Sequence, residues 1–298
     1  MNDRNPVVLE TLVTAKDVAL GVVNCAGQTL SIMPGQVVGL LGKNGAGKTT
    51  LLDGLLGYTF LNAGEVTVFG HNPTELPAAV CSQIGFVAQQ DDLLPWLTGS
   101  EMLAATRLFY PHWNHQLVDR LLDRWSVPVW QNISEMSVGE RQKLALVAAM
   151  AHEPKLLVLD EPAASLDPLA RRALIGELID IVADGERSIL LSSHIFSDIE
   201  RVASDVWLLE KGRITYQGGL DELKESVVRL HLTKPLQVNG SLALTTKQVI
   251  RTEVNTGRET WIIRGWNEAL AAECTVQISS PYQVEALGLE DAFVEISQ

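Results

Sequence analysis

Gly42-Lys43-Asn44-Gly45-Ala46-Gly47-Lys48-Thr49 fits the spacing G-x4-G-K-[ST] without a gap, and that spacing serves phosphate binding. The glycines let successive backbone N–H groups turn inward around a phosphate chain, and a helix starting at the loop's end points its positive pole at the same charge. Lys48 then reaches the β and γ phosphates, the Thr49 hydroxyl is placed for Mg2+, and Thr50 belongs to the same ligand-facing segment. Chance produces such a string in roughly one chain in a hundred of this length. The alternative, a plain glycine-rich turn between a strand and a helix, uses the same residues without a ligand. Lys155 to Asp160 reads K-L-L-V-L-D, and Glu161 follows. Apolar residues with a carboxylate just past their end put Asp160 where a sheet binds ligands, ready to hold Mg2+ directly or through water. Glu161 is then the carboxylate able to polarise an attacking water. Both acids could instead cap a helix N-terminus, since Pro162 follows them.

These groups need a sheet to hold them, and the hydrophobic pattern supplies one. Val37 to Leu41 predicts a buried strand and Lys48 to Leu56 the helix after it; Leu156 to Leu159 and Ile189 to Leu191 are further short apolar strands, each followed by a helix candidate. That alternation predicts an α/β fold with a doubly wound sheet. From about Pro77 to Glu153 the strand signal fades, and Thr98-Gly99-Ser100-Glu101 opens a segment with capping-box spacing, so this stretch reads as an inserted helical subdomain. The first domain is expected to span 1–224. Residues 225–298 read as a small α+β appendage, with strands at Val227 to Thr233, Val249 to Val254, Trp261 to Arg264 and Thr275 to Ser279, and a helix at Asn267 to Glu273.

Composition narrows the classes. The chain has 298 residues, 46% of them apolar, enough for one large core or two unequal ones. Lys+Arg 23 against Asp+Glu 36 gives a formal charge of -13, which argues against a general nucleic-acid or anionic-membrane binder. Cys25, Cys81 and Cys274 are scattered and form no CxxC, so neither a disulfide framework nor a zinc knuckle is suggested and a reducing cytoplasm is the simplest compartment. Met1 to Glu10 lacks the basic and apolar regions of a signal peptide. Leu144 to Ala151 and Leu156 to Leu159, the longest apolar candidates, are far short of the roughly 18 residues a bilayer span needs.

From the glycine loop to His194 the chain resembles the nucleotide-binding subunit of an ATP-binding cassette (ABC) transporter, over about residues 7–220 and with the motifs in the family's order. Gln89, in G-F-V-A-Q-Q, stands where the family has its Q-loop glutamine, which contacts Mg2+ and the nucleophilic water and senses the membrane partner. Met136-Ser137-Val138-Gly139-Glu140 stands at the LSGGQ signature, Ser165-Leu166-Asp167 resembles the D-loop that touches the opposite subunit, and His194, in L-L-S-S-H, is similar to the switch histidine at the γ-phosphate. Each has a plainer reading. Gln89 could simply end a strand, Ser137 and Glu140 form a capping box, and Asp167-Pro168 is an N-cap with a first-turn proline.

The resemblance implies ATP and Mg2+ as ligands, Thr49, Gln89 and Asp160 at the metal, and Glu161, His194 and Gln89 as the catalytic set. It implies an ATP-dependent homodimer in which Ser137, Gly139 and Asp167 of one copy face the other's ATP. It also implies a separate polytopic permease holding the protein at the cytoplasmic face of the inner membrane, docked around Asp91 to Leu103 where Leu93, Leu94, Pro95, Trp96 and Leu97 cluster. The tail Leu289-Glu290-Asp291-Ala292-Phe293 and the segment Phe109-Tyr110-Pro111-His112-Trp113 resemble bacterial exporter ATPases of the drug, antibiotic-peptide and polysaccharide group, so export is favoured over import. A soluble ABC ATPase acting on ribosomes or nucleic acid, or an assembly factor, is the competing class. One cassette, no sustained heptads and the acidic balance speak against it.

Two departures matter. Val138 replaces the signature's first glycine, and valine resists positive φ, so the loop must avoid that conformation or bend differently. No Phe, Tyr or Trp precedes Tyr58, leaving only aliphatics such as Val18, Leu20 or Val22 where the family stacks adenine on a ring. Base stacking contributes about 1–3 kcal/mol, so ATP is expected to bind roughly 5- to 100-fold less tightly than in a ring-bearing site. Calorimetric titration beside such a homologue checks this, and equal affinities would overturn it.

Overall fold

Two hydrophobic patterns make two kinds of sheet. The computed structural model describes residues 11–90, 92–232, 248–255, 258–278 and 281–296; Met1 to Glu10, Asp91, Thr233 and Ser279, which enter the expectations above, lie outside them. The chain begins with β1 (Val13–Leu20), β2 (Val23–Asn24), β3 (Thr29–Ile32), β4 (Val37–Leu41), α1 (Lys48–Leu55), β5 (Ala63–Val68), α2 (Ala78–Cys81) and β6 (Ile84–Val87). In β1, buried positions largely alternate with more open ones, as in a strand covered on one face. It pairs antiparallel with β2, β3 and β5. β4 is buried at every position, the mark of a strand covered on both faces.

There follow α3 (Gly99–Arg107), α4 (His115–Trp125), α5 (Val138–Met150), β7 (Leu156–Asp160), α6 (Pro168–Val182), β8 (Ser188–Ser193), α7 (Phe196–Val202), β9 (Asp205–Glu210) and β10 (Arg213–Gly219). The larger sheet has the order β10-β9-β4-β8-β7-β6. β9, β4, β8, β7 and β6 run parallel, so the carboxyl ends of β4, β7 and β8 lie at one edge, where α/β sheets bind ligands. β10 joins β9 through Lys211 and Gly212, both at positive φ, the backbone of a type I′ turn.

Ile84 to Val87 is a strand inside the stretch from Pro77 to Glu153, where the strand signal fades and a helical subdomain is expected. It is only four residues long, and its partner β7 is remote in sequence, so periodicity alone carries little signal. Packing completes it: a Cβ on Gly85 would fall 2.5 Å from the Ala149 carbonyl oxygen at the end of α5. The regular elements of the rest of the stretch are helices, α2 to α5 and a short 3-10 turn at Ile133–Glu135. Thr98 caps α3 in a reciprocal box with Glu101, and Asn114 caps α4.

Contacts divide the chain after Gln217. The second unit holds α8 (Leu220–Ser226), β11 (Val227–Leu232), β12 (Val249–Asn255), β13 (Arg258–Arg264), α9 (Glu268–Gln277), β14 (Tyr282–Ala286) and α10 (Leu289–Ile296). α8 thus falls on the C-terminal side of the division, whereas a boundary at 224 leaves most of it on the other. The sheet, in the order β12-β13-β11-β14, is antiparallel. Val228, Leu230, Trp261 and Ile263 share a core with Leu270 and Cys274 of α9. The strand expected at Thr275 to Ser279 is corrected. Thr275 belongs to α9, its hydroxyl donating to the Ala271 carbonyl one turn back at 2.9 Å, and the strand comes later as β14.

Gly85→Ala forces its methyl group into the Ala149 backbone, and should lower unfolding stability in urea by about 1–3 kcal/mol with an unchanged m-value.

Candidate active site

The glycine loop leaves the carboxyl end of β4 and enters α1. Gly45 and Gly47 take φ of +79° and +107°, which a side chain would resist. Gly47 caps α1 without a side-chain hydrogen bond, so the first-turn N–H groups stay available to an anion. Gly42 cannot carry a Cβ, which would fall 2.5 Å from the Leu209 carbonyl oxygen. Ala46 is buried beneath the loop while Lys43 and Asn44 are exposed. Asn44, Gly45, Gly47, Lys48, Thr49 and Thr50 line one cleft of about 220 Å³ together with Val22, Gln89 and Glu161.

Lys48 Nζ donates to the Gly42 carbonyl at 2.8 Å and stands 3.0 Å from Glu161 Oε1, with the two side chains 7% and 5% exposed. Thr49 Oγ1 donates to Asp160 Oδ2 at 2.5 Å and lies 3.5 Å from Gln89 Oε1. The other Asp160 oxygen accepts from the Ser192 hydroxyl on β8. Ser192 Oγ in turn accepts from the Glu161 N–H at 2.9 Å. Glu161 sits at φ +48°, turning its carboxylate back over the sheet edge, where Oε2 meets His194 Nδ1 at 2.7 Å. Lys48, Thr49, Gln89, Asp160, Glu161 and His194 are therefore brought together, from four separate parts of the chain. Burial, and then the nearby charge of Asp160, push the Asp53 carboxyl above its usual range.

Thr49 Oγ1, Asp160 Oδ2 and Gln89 Oε1 are convergent oxygen donors, the set a hard divalent cation takes alongside phosphate oxygens and water. Mg2+ fits that donor chemistry. Among the described residues no group of three or more His, Cys, Asp or Glu could hold a metal, and a cation held mainly through substrate phosphates does not need one.

Ser137, Gly139 and Asp167 gather at a second locus, where α5 and α6 begin. Ser137 caps α5: its hydroxyl accepts from the Glu140 N–H at 3.3 Å, and its own N–H donates to Glu140 Oε2 at 2.7 Å. Val138 is the first residue of α5 and is not among the residues at positive φ, so the loop takes the first of the two courses open to it. A Cβ on Gly139 would fall 2.9 Å from the Ser165 carbonyl oxygen. Asp167 caps α6, accepting from the Leu169 and Ala170 N–H groups, both at 2.9 Å. Sequence reading missed Ser192. Its only signal is a hydroxyl inside the apolar run I-L-L-S-S.

A family described as ABC transporter matches residues 25–164. The ABC transporter ATP-binding protein YtrB of Bacillus subtilis (strain 168) is 31% identical over 211 residues, 71% of this chain and 72% of its own length. The chain belongs to the ABC transporter ATP-binding proteins. The Nod factor export ATP-binding protein I of Burkholderia pseudomallei (strain 1710b) is 30% identical over 281 residues, 91% of each chain. A solved ATP-binding subunit of an ABC transporter superposes with a TM-score of 0.65 at 29% identity, covering 72% of this chain and 92% of that one. A dimeric ATP-binding cassette in a post-hydrolysis state, bound to ADP and Pi, shares the fold with a TM-score of 0.61 at 20% identity, over 70% of this chain and 98% of that one. As an ABC ATPase the protein binds and hydrolyses ATP and is the motor subunit of a transporter.

Ser137→Ala removes the N-cap bond of α5 and should cost about 1 kcal/mol at neutral pH. The Ser137 N–H, and then its hydroxyl, hold the Glu140 carboxyl below its usual 4.5. The stabilisation Glu140 brings is thus present above pH 4.5 and lost as pH falls through its lower folded value. Urea unfolding of Glu140→Ala should show a deficit at pH 7 that shrinks toward zero in acid.

Proposed function

We propose that Glu161 is the general base of ATP hydrolysis, and that the chain works as a homodimer driving an exporter permease at the cytoplasmic face of the inner membrane. The observation that carries the catalytic reading is the Glu161 carboxylate held between Lys48 at 3.0 Å and His194 Nδ1 at 2.7 Å, beside the Thr49–Asp160 pair. Glu161 orients a water and accepts its proton as the water oxygen attacks the γ-phosphorus. The bond to the β–γ bridging oxygen breaks, giving ADP and inorganic phosphate. Lys48 and the loop N–H groups meet the phosphate charge. His194 steadies Glu161, and Gln89 orients the same water. Thr49, Asp160 and Gln89 hold Mg2+, which when bound neutralises phosphate charge. Asn44, Gly45, Gly47 and Thr50 enclose the phosphates from the loop side, with Gly42, Lys43 and Ala46 shaping it.

The homodimer is supported by one chain carrying both the catalytic set and the Ser137, Gly139 and Asp167 locus. Beside that locus Val138 and Leu169 are exposed, which gives a second copy an apolar surface to cover. ATP bridges the copies and hydrolysis releases them. Among the described residues no helix is long and apolar enough to cross a membrane, so translocation falls to the permease. Its dock is the region after Gln89, where Leu94 and Trp96 are exposed and Leu93, Met102 and Tyr110 line a cleft. Export is supported by the Nod factor export relative, which matches along 91% of both chains.

Glu161→Gln should lower kcat by about 10²- to 10⁴-fold while ATP still binds. The same variant, used with ATP as bait in detergent-solubilised membranes, should bring down a stoichiometric polytopic protein. An ATP-dependent dimer with only soluble company would sink the permease reading and favour an assembly or ribosome role.

A further inference from the structure

Helices α6 and α7 pack against each other, and their contact holds two buried polar atoms that make no hydrogen bond, Nε of Arg171 and Oδ2 of Asp198. The two face one another at 3.8 Å. At that distance the opposite charges attract, but a hydrogen bond needs about 2.7–3.2 Å. Asp198 is 6% exposed, and a carboxylate so buried is costly unless it is both paired and hydrogen-bonded. Burial pushes its carboxyl above the usual range, while Arg171, Arg201 and His194 pull it back and Glu161 adds to the rise. The ion pair is formed in charge and unfinished in geometry.

Helix propensity does not account for the burial. An acid in the first turn of α7 suits the helix's positive pole, yet an exposed side chain serves that purpose equally well. What the position offers is a link. Arg171 lies one turn into α6, its N–H donating to the Asp167 carbonyl at 2.9 Å, and Asp167 caps that helix at the locus assigned above to the second copy. Asp198 lies one turn beyond His194, whose Nδ1 meets Glu161 Oε2 at 2.7 Å. One ion pair thus joins the helix that Asp167 opens to the helix that follows His194. A movement of α6 toward α7 of under about 1 Å completes its hydrogen bond.

We propose that Asp198 is a positioning residue for ATP hydrolysis: paired with Arg171, it carries the arrival of the second copy at Asp167 to His194 and sets that ring on Glu161. The inference rests on the homodimer and general-base readings above. Before the copies meet the pair stays open, and the His194 side chain, 43% exposed, is held from the Glu161 side. When the second copy presses on the start of α6 the pair closes, and α7 is fixed from behind. Arg171 and Asp198 are not among the residues that line the ATP cleft, so they act on turnover rather than on nucleotide affinity.

Steady-state hydrolysis by the full-length chain, with Asp198→Asn, Arg171→Met and the double variant, tests this. Asn keeps the shape of Asp, and the Arg171 side chain is 34% exposed, so all three should fold, with the melting temperature as the check. Each single variant should lower kcat about tenfold and leave KM for ATP within about twofold. The double variant should lose no more than the worse single one, as a shared interaction requires. Asp198→Glu, which reaches further across the gap, should keep the wild-type kcat. Asp198→Asn added to Glu161→Gln should still dimerise with ATP in sedimentation, since the pair acts after the copies meet. Losses that multiply in the double variant, a fall in ATP affinity matching the fall in kcat, or a lost dimer would each overturn the positioning role. A folded Asp198→Glu protein as slow as Asp198→Asn would overturn it too, as would single variants that turn over at the wild-type rate. A Glu161→Gln chain that hydrolyses ATP as fast as wild type would overturn the general-base reading itself, and this inference with it.

Discussion

Two adjacent carboxylates, Asp160 and Glu161, are buried at the end of β7, and the rest of the site is organised around making that tolerable. Each buried charge would cost several kcal/mol if left unpaired. Asp160 is met by the hydroxyls of Thr49 and Ser192, and Glu161 by Lys48 and His194. Those partners come from the start of α1, from β8 and from the loop after it. The order β4-β8-β7 is what sets them side by side. A site whose charges are already held in place needs little rearrangement when phosphate charge arrives, which is the condition for electrostatic catalysis.

The helical insertion is tied to the sheet region by the same kind of bond. Glu177 on α6 is buried, with Arg120 at 2.6 Å and Arg124 at 3.0 Å reaching it from α4. The guanidiniums are half open to water while the carboxylate is not, so the pair fixes where α4 lies more than it adds stability. Gly139 packs against the Ser165 backbone, close behind Glu161 in sequence. The start of α5 is thereby in direct steric contact with the segment that follows Glu161.

In the second unit a buried acid again sets the packing. Glu295 of α10 receives Arg229 from β11 at 3.2 Å and Arg251 from β12 at 3.1 Å. The opposite sheet face is apolar and covered by α9. α10 also buries Leu289, Ala292 and Phe293, so the paired charge at Glu295 adds direction to a contact that hydrophobic burial already makes.

Local chemistry was legible in the sequence wherever a residue's role depends on near neighbours. The glycine loop, the two acids after an apolar strand, and the capping boxes at Thr98 and Ser137 all arise from bonds within a few residues. Tertiary structure decided whatever depends on strand order and packing. β6 is a strand because β7 pairs with it and Gly85 fits under Ala149. Thr275 is helical because Cys274 and Leu270 face the sheet from one helix side. Ser192 joins the site because β8 lies next to β7, and Val22 rather than Val18 or Leu20 meets the cleft because a turn, not a strand face, exposes it. Periodicity records which side of an element is apolar; it holds no information about which distant element will cover it.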